Sequence, residues 1–66
     1  MGAVKAYYVG FERVGQTDRY RARFRVGEGH RVSRAAFRSP DQAVSFGRRM
    51  AQALRWGAIA PDTIFV

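Results

Sequence analysis

Arg19-Tyr20-Arg21-Ala22-Arg23-Phe24-Arg25-Val26 alternates without a fault. The arginines point one way; Tyr20, Ala22, Phe24 and Val26 point the other. A period of two over this length is the pattern of a half-buried strand. Gly27-Glu28-Gly29 follows as a tight-turn signal, so His30 to Phe37 reads as an antiparallel partner strand. Upstream, Val4, Tyr7, Tyr8, Val9 and Phe11 suit a pleated surface and predict a first strand. That strand ends near Arg13, before the polar break at Gly15 to Asp18.

Downstream of the third strand, Ser39-Pro40-Asp41-Gln42 is written as a helix start. Ser39 can cap, Pro40 suits the first helical position, Asp41 meets the positive helix end, and Gln42 completes a capping box. Ala43, Phe46, Gly47, Met50 and Leu54 recur at helical spacing and form one apolar stripe. On that stripe Gly47 would let the helix sit close to the sheet, while Arg48, Gln52 and Arg55 fall on the opposite face. Gly57 stops the helix and Pro61 prevents its restart. Ile64-Phe65-Val66 is apolar enough to pack back or to add a short edge strand. The expected fold is α+β: a three-stranded antiparallel sheet, then one packing helix (β-β-β-α), then a short tail. Residues 1–66 form a single small basic domain.

A chain of 66 residues is near the lower limit for folding unaided, and buries only about 60% of its extended surface. Without Cys and with a single His, neither disulfides nor the usual zinc sites can staple it, so no metal or other cofactor is expected. Stability has to come from a packed apolar layer, for which a hydrophobic fraction of 47% suffices. Met1 to Tyr8 carries no charged-then-apolar leader, and no apolar run approaches membrane-spanning length. The expectation is a soluble, cytoplasmic protein with no membrane partner.

Charge is the first functional clue. Lys plus Arg outnumber Asp plus Glu by 12 to 5, a net +7, and eleven of the twelve cations are Arg. The planar guanidinium suits phosphates and base edges better than the Lys ammonium does. Arginines two apart on a strand stand about 6.5–7 Å apart, close to the phosphate spacing along one DNA strand. Solvated sheet faces usually mix their signs, and this strand does not. The ladder therefore points to a polyanion. Tyr7, Tyr8 and Phe11 suggest base stacking as well, but so small a domain needs at least half of them in its core. Trp56 reads as a plug between helix and tail, and His30 as a turn residue. Ser33, Ser39 and Ser45 have no base with an orienting carboxylate, and Gly27 and Gly29 precede a strand where a phosphate loop precedes a helix. No enzyme is expected.

With this order of elements the chain resembles the ethylene-response-factor (APETALA-type) DNA-binding domain and its bacterial, phage and integrase arm-type relatives. Tyr8-Val9-Gly10-Phe11 is similar to the family's opening Tyr-Arg-Gly-Val. Arg19-Tyr20-Arg21-Ala22-Arg23-Phe24-Arg25 follows its pattern of basic, aromatic, any, Ala, polar, aliphatic, Arg. Phe37-Arg38-Ser39-Pro40-Asp41-Gln42-Ala43 matches Phe-x-Thr-x-Glu-Glu-Ala at the helix start, and Gly57 and Ile64-Phe65 match its closing Gly and Asn-Phe. The resemblance implies a sheet laid in the major groove and backed by the helix. It implies DNA contacts from Arg19, Arg23 and Arg25 on the second strand and from Arg31 and Ser33 on the third. This chain departs from the family at Val9 and Glu12, where arginines are usual, at Arg34 in place of a core leucine, and in lacking a Tyr-Asp pair after Phe46.

The expected partner is duplex DNA, met by Arg19, Arg21, Arg23 and Arg25 with Arg13, Arg31 and Ser33 around them. Gene regulation, recombination or phage biology would suit such a module. Two other partners fit the charge. An acidic protein could take the basic face, as for a small phage-encoded inhibitor. RNA is favoured by Arg48 and Arg49 with Ala51 and Ala53, a helix pattern similar to the last helix of double-stranded RNA modules.

Overall fold

Alternation in the second strand makes one face of the sheet apolar, and that face needs a cover. The structure, a computed structural model, describes residues 3–66; of the opening segment, Met1 and Gly2 lie outside the described residues. Strands β1 (Ala6–Arg13), β2 (Tyr20–Val26) and β3 (Gly29–Val32) are followed by helix α1 (Pro40–Trp56) and a short 3-10 turn at Pro61–Thr63. All pairings are antiparallel and β2 is central. The β-β-β-α architecture is the one the sequence pattern predicts.

The helix starts and stops where its sequence dictates, though of the capping box only the Ser39 half is made among the described residues. Ser39 Oγ accepts from the Gln42 N–H at 3.3 Å, Pro40 is the first helical residue, and Gly57 closes the helix at φ 75°. Ala43, Gly47, Ala51 and Leu54 are its buried positions, with Phe46 and Met50 packed beside them. Ala6, Ala22, Phe24, Ile64 and Phe65 complete the core, where the Phe24 and Phe65 rings meet edge to face at 5.2 Å. Close approach happens at Gly47. A methyl there would run into the Tyr8 ring, with Cε1 at 2.8 Å, and would sit 3.1 Å from Ala22 Cβ.

Two irregularities decide what faces where. The β1–β2 register runs Tyr7–Arg25 and Tyr8–Phe24, then resumes at Gly10–Arg23, so Val9 and Gly10 form a bulge. Gly10 adopts φ 152°, a conformation that side chains disfavour. An extra residue reverses the facing of everything after it. Phe11 consequently lies on the helix side, opposite Ala22 and edge-on to Tyr20 at 5.8 Å, and Glu12 swings to the opposite face beside Arg21.

The third strand is shorter than the expected His30 to Phe37. It ends at Val32, and the chain rejoins the sheet only where Phe37 exchanges two main-chain hydrogen bonds with Tyr20. At the break the Ser33 N–H donates to Ala22 O, but the Ala22 N–H donates to Ser33 Oγ at 3.0 Å. The hydroxyl takes the place of its own carbonyl and donates onward to Ala35 O. Beyond β3, the tail pairs back: Arg34 N–H bonds Ile64 O, Val66 N–H bonds Val32 O, and Ser33 bridges Phe65. One edge of the sheet is thereby covered, and β1 is the open edge. Among the described residues no helix is long and apolar enough to cross a membrane.

Candidate nucleic-acid interface

The helix covers one face of the sheet, so the other face carries whatever β2 turns outward. Arg21, Arg23 and Arg25 stand there at alternate positions. Cross-strand pairing sets Glu12 beside Arg21, Gly10 and Val32 beside Arg23, and Tyr7 and His30 beside Arg25. Arg25 is exposed, while Arg21 and Arg23 are half-buried. The Arg21 Nε is enclosed without a protein acceptor.

Electrostatically the face is cationic but not uniform. Glu12 Oε1 lies 3.6 Å from Arg23 Nε, with both side chains close to half exposed. An ion pair of this kind contributes about 0–1 kcal/mol to stability. Its larger effect is local, since a carboxylate now sits at the Arg23 guanidinium on the face that Arg21 shares. No charge on β2 itself opposes the arginines, as the sequence indicates; the opposing charge comes from β1.

Three of the seven expected contacts stand on the helix side or in the core, and a fourth, Arg19, lies just outside β2. Arg19 precedes β2, is exposed, and faces Asp18 at 3.8 Å. Arg13 pairs with Tyr20 and so belongs, by register, to the helix side of the sheet. Arg31 pairs with the core residue Phe24, also on the helix side. Its guanidinium lies over the Phe65 ring at 5.1 Å and donates to the main-chain oxygen of Val66, so it ties down the tail. Ser33 is fully buried, with its hydroxyl spent on Ala22 and Ala35. Arg31 and Ser33 therefore do not share the outer face with β2's arginines, contrary to what the family resemblance implies. Arg34, at the family's core leucine, is exposed and donates to Asp62 O and Phe65 O, a second tether for the tail.

Other expectations also change. Tyr7 is 51% exposed and Phe11 43%, so most of this aromatic group is not core. Trp56 is 73% exposed and plugs nothing; it lies about 180° around the helix from Gly47. Arg55 is only about 80° from Gly47. That flank reaches the sheet edge, where Arg55 Nη1 donates to Ala6 O at 2.9 Å and its guanidinium lies 5.0 Å from the Tyr7 ring centre. Arg55 is thus not on the solvent-facing side opposite the apolar stripe. Sequence reading misses Tyr7 and Glu12 as members of the arginine face, because only the cross-strand register and the bulge put them there.

Comparisons with protein-family models, with curated proteins and with solved structures return no match to this chain.

Proposed function

We propose that this chain is a duplex-DNA-binding module that lays its uncovered sheet face in the major groove. The observation that carries this reading is the row of Arg21, Arg23 and Arg25 on the one face of the sheet that the helix leaves open. A major groove admits a narrow β-ribbon, and Arg reads guanine O6 and N7 with two hydrogen bonds. Phosphates of either strand supply acceptors for the exposed guanidinium N–H groups that the bases leave free; the enclosed Arg21 Nε is out of their reach. The sequence resemblance to the ethylene-response-factor domain supports the same docking through Arg23 and Arg25. Arg19 joins as a peripheral phosphate contact. Strand one has Val9 and Glu12 where the family usually has arginines, so it contributes little, with Tyr7 beside Arg25 and Glu12 beside Arg21. Regulation of transcription or recombination, in a phage or mobile element, suits such a module.

A titration of duplex DNA, single-stranded DNA and duplex RNA at several salt concentrations tests this. Duplex DNA should bind most tightly, with log affinity falling against log salt at a slope of roughly −3 to −5, the value for three to five neutralised phosphates. A slope near zero, or no duplex binding at low salt, removes the reading.

One observation favours a second reading, docking on an acidic protein. Tyr7 and Val9 are exposed on β1 beside the arginines, and Tyr with Arg is the pairing that protein interfaces enrich. A defined acidic partner, bound without any affinity for DNA, would select it.

A further inference from the structure

Around the open edge of β1, the helix and the sheet enclose a cleft of about 350 Å³ lined by Tyr7, Tyr8, Arg48, Ala51 and Arg55. Arg48 and Arg55 are two helical turns apart, about 10 Å along the axis. None of the chain's carboxylates lines the cleft. Among the described residues the ion pairs engage Arg19 and Arg23 only, so both cleft cations lack a carboxylate. Arg55 is held in place: it donates to Ala6 O and lies on the Tyr7 ring. Arg48 is exposed, and its side chain makes no hydrogen bond or ion pair among the described residues. Tyr7 joins this edge to the sheet face, because its cross-strand neighbour is Arg25.

We propose that Arg48, Arg55 and Tyr7 form a backbone-phosphate site on the β1 edge, which grips one wall of the groove while the sheet face meets the bases. The inference rests on the duplex-DNA reading above and adds a contact made by the helix. Two guanidinium groups without a carboxylate partner match an oxyanion in charge, and Arg55, already fixed by Ala6 O and the Tyr7 ring, loses less entropy on binding. Tyr7 and Tyr8 line the cleft, and a tyrosine hydroxyl is a donor suited to the same oxygens. A phosphate contact carries no base preference, so this site would set affinity and register and leave specificity to Arg21, Arg23 and Arg25.

The test compares the full chain with Arg48→Gln, Arg48→Lys and Arg23→Ala variants on two duplexes of unrelated sequence over a salt series. Arg48→Gln should make the log–log slope shallower by about 0.9 and weaken binding roughly five- to tenfold at 0.1 M salt, equally on both duplexes. Arg48→Lys should restore the slope, since the contact needs charge. Thermal unfolding of all three variants should match the parent, which separates the effect from misfolding. If Arg23→Ala weakens binding while Arg48→Gln keeps the parent's slope and affinity, the edge site is overturned and the sheet reading stands. If the parent chain binds no duplex at low salt, both fall together.

Discussion

Glu12 lies across the strand pair from Arg21 and reaches diagonally to Arg23, its Oε1 3.6 Å from Arg23 Nε. A carboxylate in this position repels the phosphates that its neighbours attract, and it occupies a guanidinium edge that a base would otherwise meet. Glu12→Gln should therefore strengthen binding to every duplex and steepen the salt slope by up to about 0.9, the signature of one more phosphate neutralised. Stability should fall by no more than about 1 kcal/mol, the most that an exposed ion pair of this kind contributes. Parallel titrations of parent and variant decide it. Weaker binding by the variant would mean that Glu12 touches the ligand favourably, as a cytosine amine would allow.

Gly47→Ala tests the contact between helix and sheet. Alanine is the better helix former by about 1 kcal/mol. Yet its methyl would collide with the Tyr8 ring and press on Ala22 Cβ at 3.1 Å. Overpacking of this kind costs about 1–3 kcal/mol, so the variant should melt at a lower temperature than the parent despite its propensity. Adding Tyr8→Leu should recover part of the loss. A Gly47→Ala variant more stable than the parent would show that the Tyr8 ring simply moves aside.

The alternation of β2, the capping run at Ser39 to Gln42 and the helical stripe are local patterns, and from them the order of elements was legible. What was not legible depends on non-local choices. The bulge at Val9 and Gly10 fixes whether Phe11 or Glu12 joins the arginines, and strict alternation has no term for an inserted residue. The early exit of β3 depends on a serine hydroxyl standing in for a carbonyl, which a strand pattern over His30 to Phe37 does not encode. The family resemblance makes Arg31 a DNA contact from the third strand. In space it is a lid on Phe65, because its register partner is Phe24. Arg55 sits on a flank of the helix, where the stem of an arginine can lie over apolar surface and deliver its charge to an edge.

Ser33→Ala probes that exit. The substitution leaves the volume nearly unchanged but removes the acceptor of the Ala22 N–H, which is buried in the central strand. An unsatisfied buried donor costs about 1–3 kcal/mol. Urea unfolding should show a lower midpoint, and hydrogen exchange at the Ala22 amide should quicken more than at neighbouring β2 amides. Duplex binding by the folded variant should stay as it is, because Ser33 is away from the surface. A variant as stable as the parent but defective in binding would restore Ser33 to the interface.

The last prediction separates the two faces of β2 at adjacent residues. Arg23 is half-buried on the outer face, and Phe24 is fully buried against Phe65 on the inner one. Arg23→Ala should leave the melting temperature close to the parent's, because the pair it loses with Glu12 is exposed. If it reads a base edge, binding to the preferred site should weaken by about 1–3 kcal/mol and discrimination at that position should relax. Phe24→Ala should cost about 3–5 kcal/mol through lost burial and the cavity it leaves. A 66-residue domain commands only roughly 3–10 kcal/mol in total, so this variant should melt far below the parent and bind only through its remaining folded fraction. Circular dichroism with temperature and duplex titration, run on both variants, give the two readouts. A native, stable Phe24→Ala beside an unfolded Arg23→Ala would mean that the helix covers the arginine face, and the proposed interface would not exist.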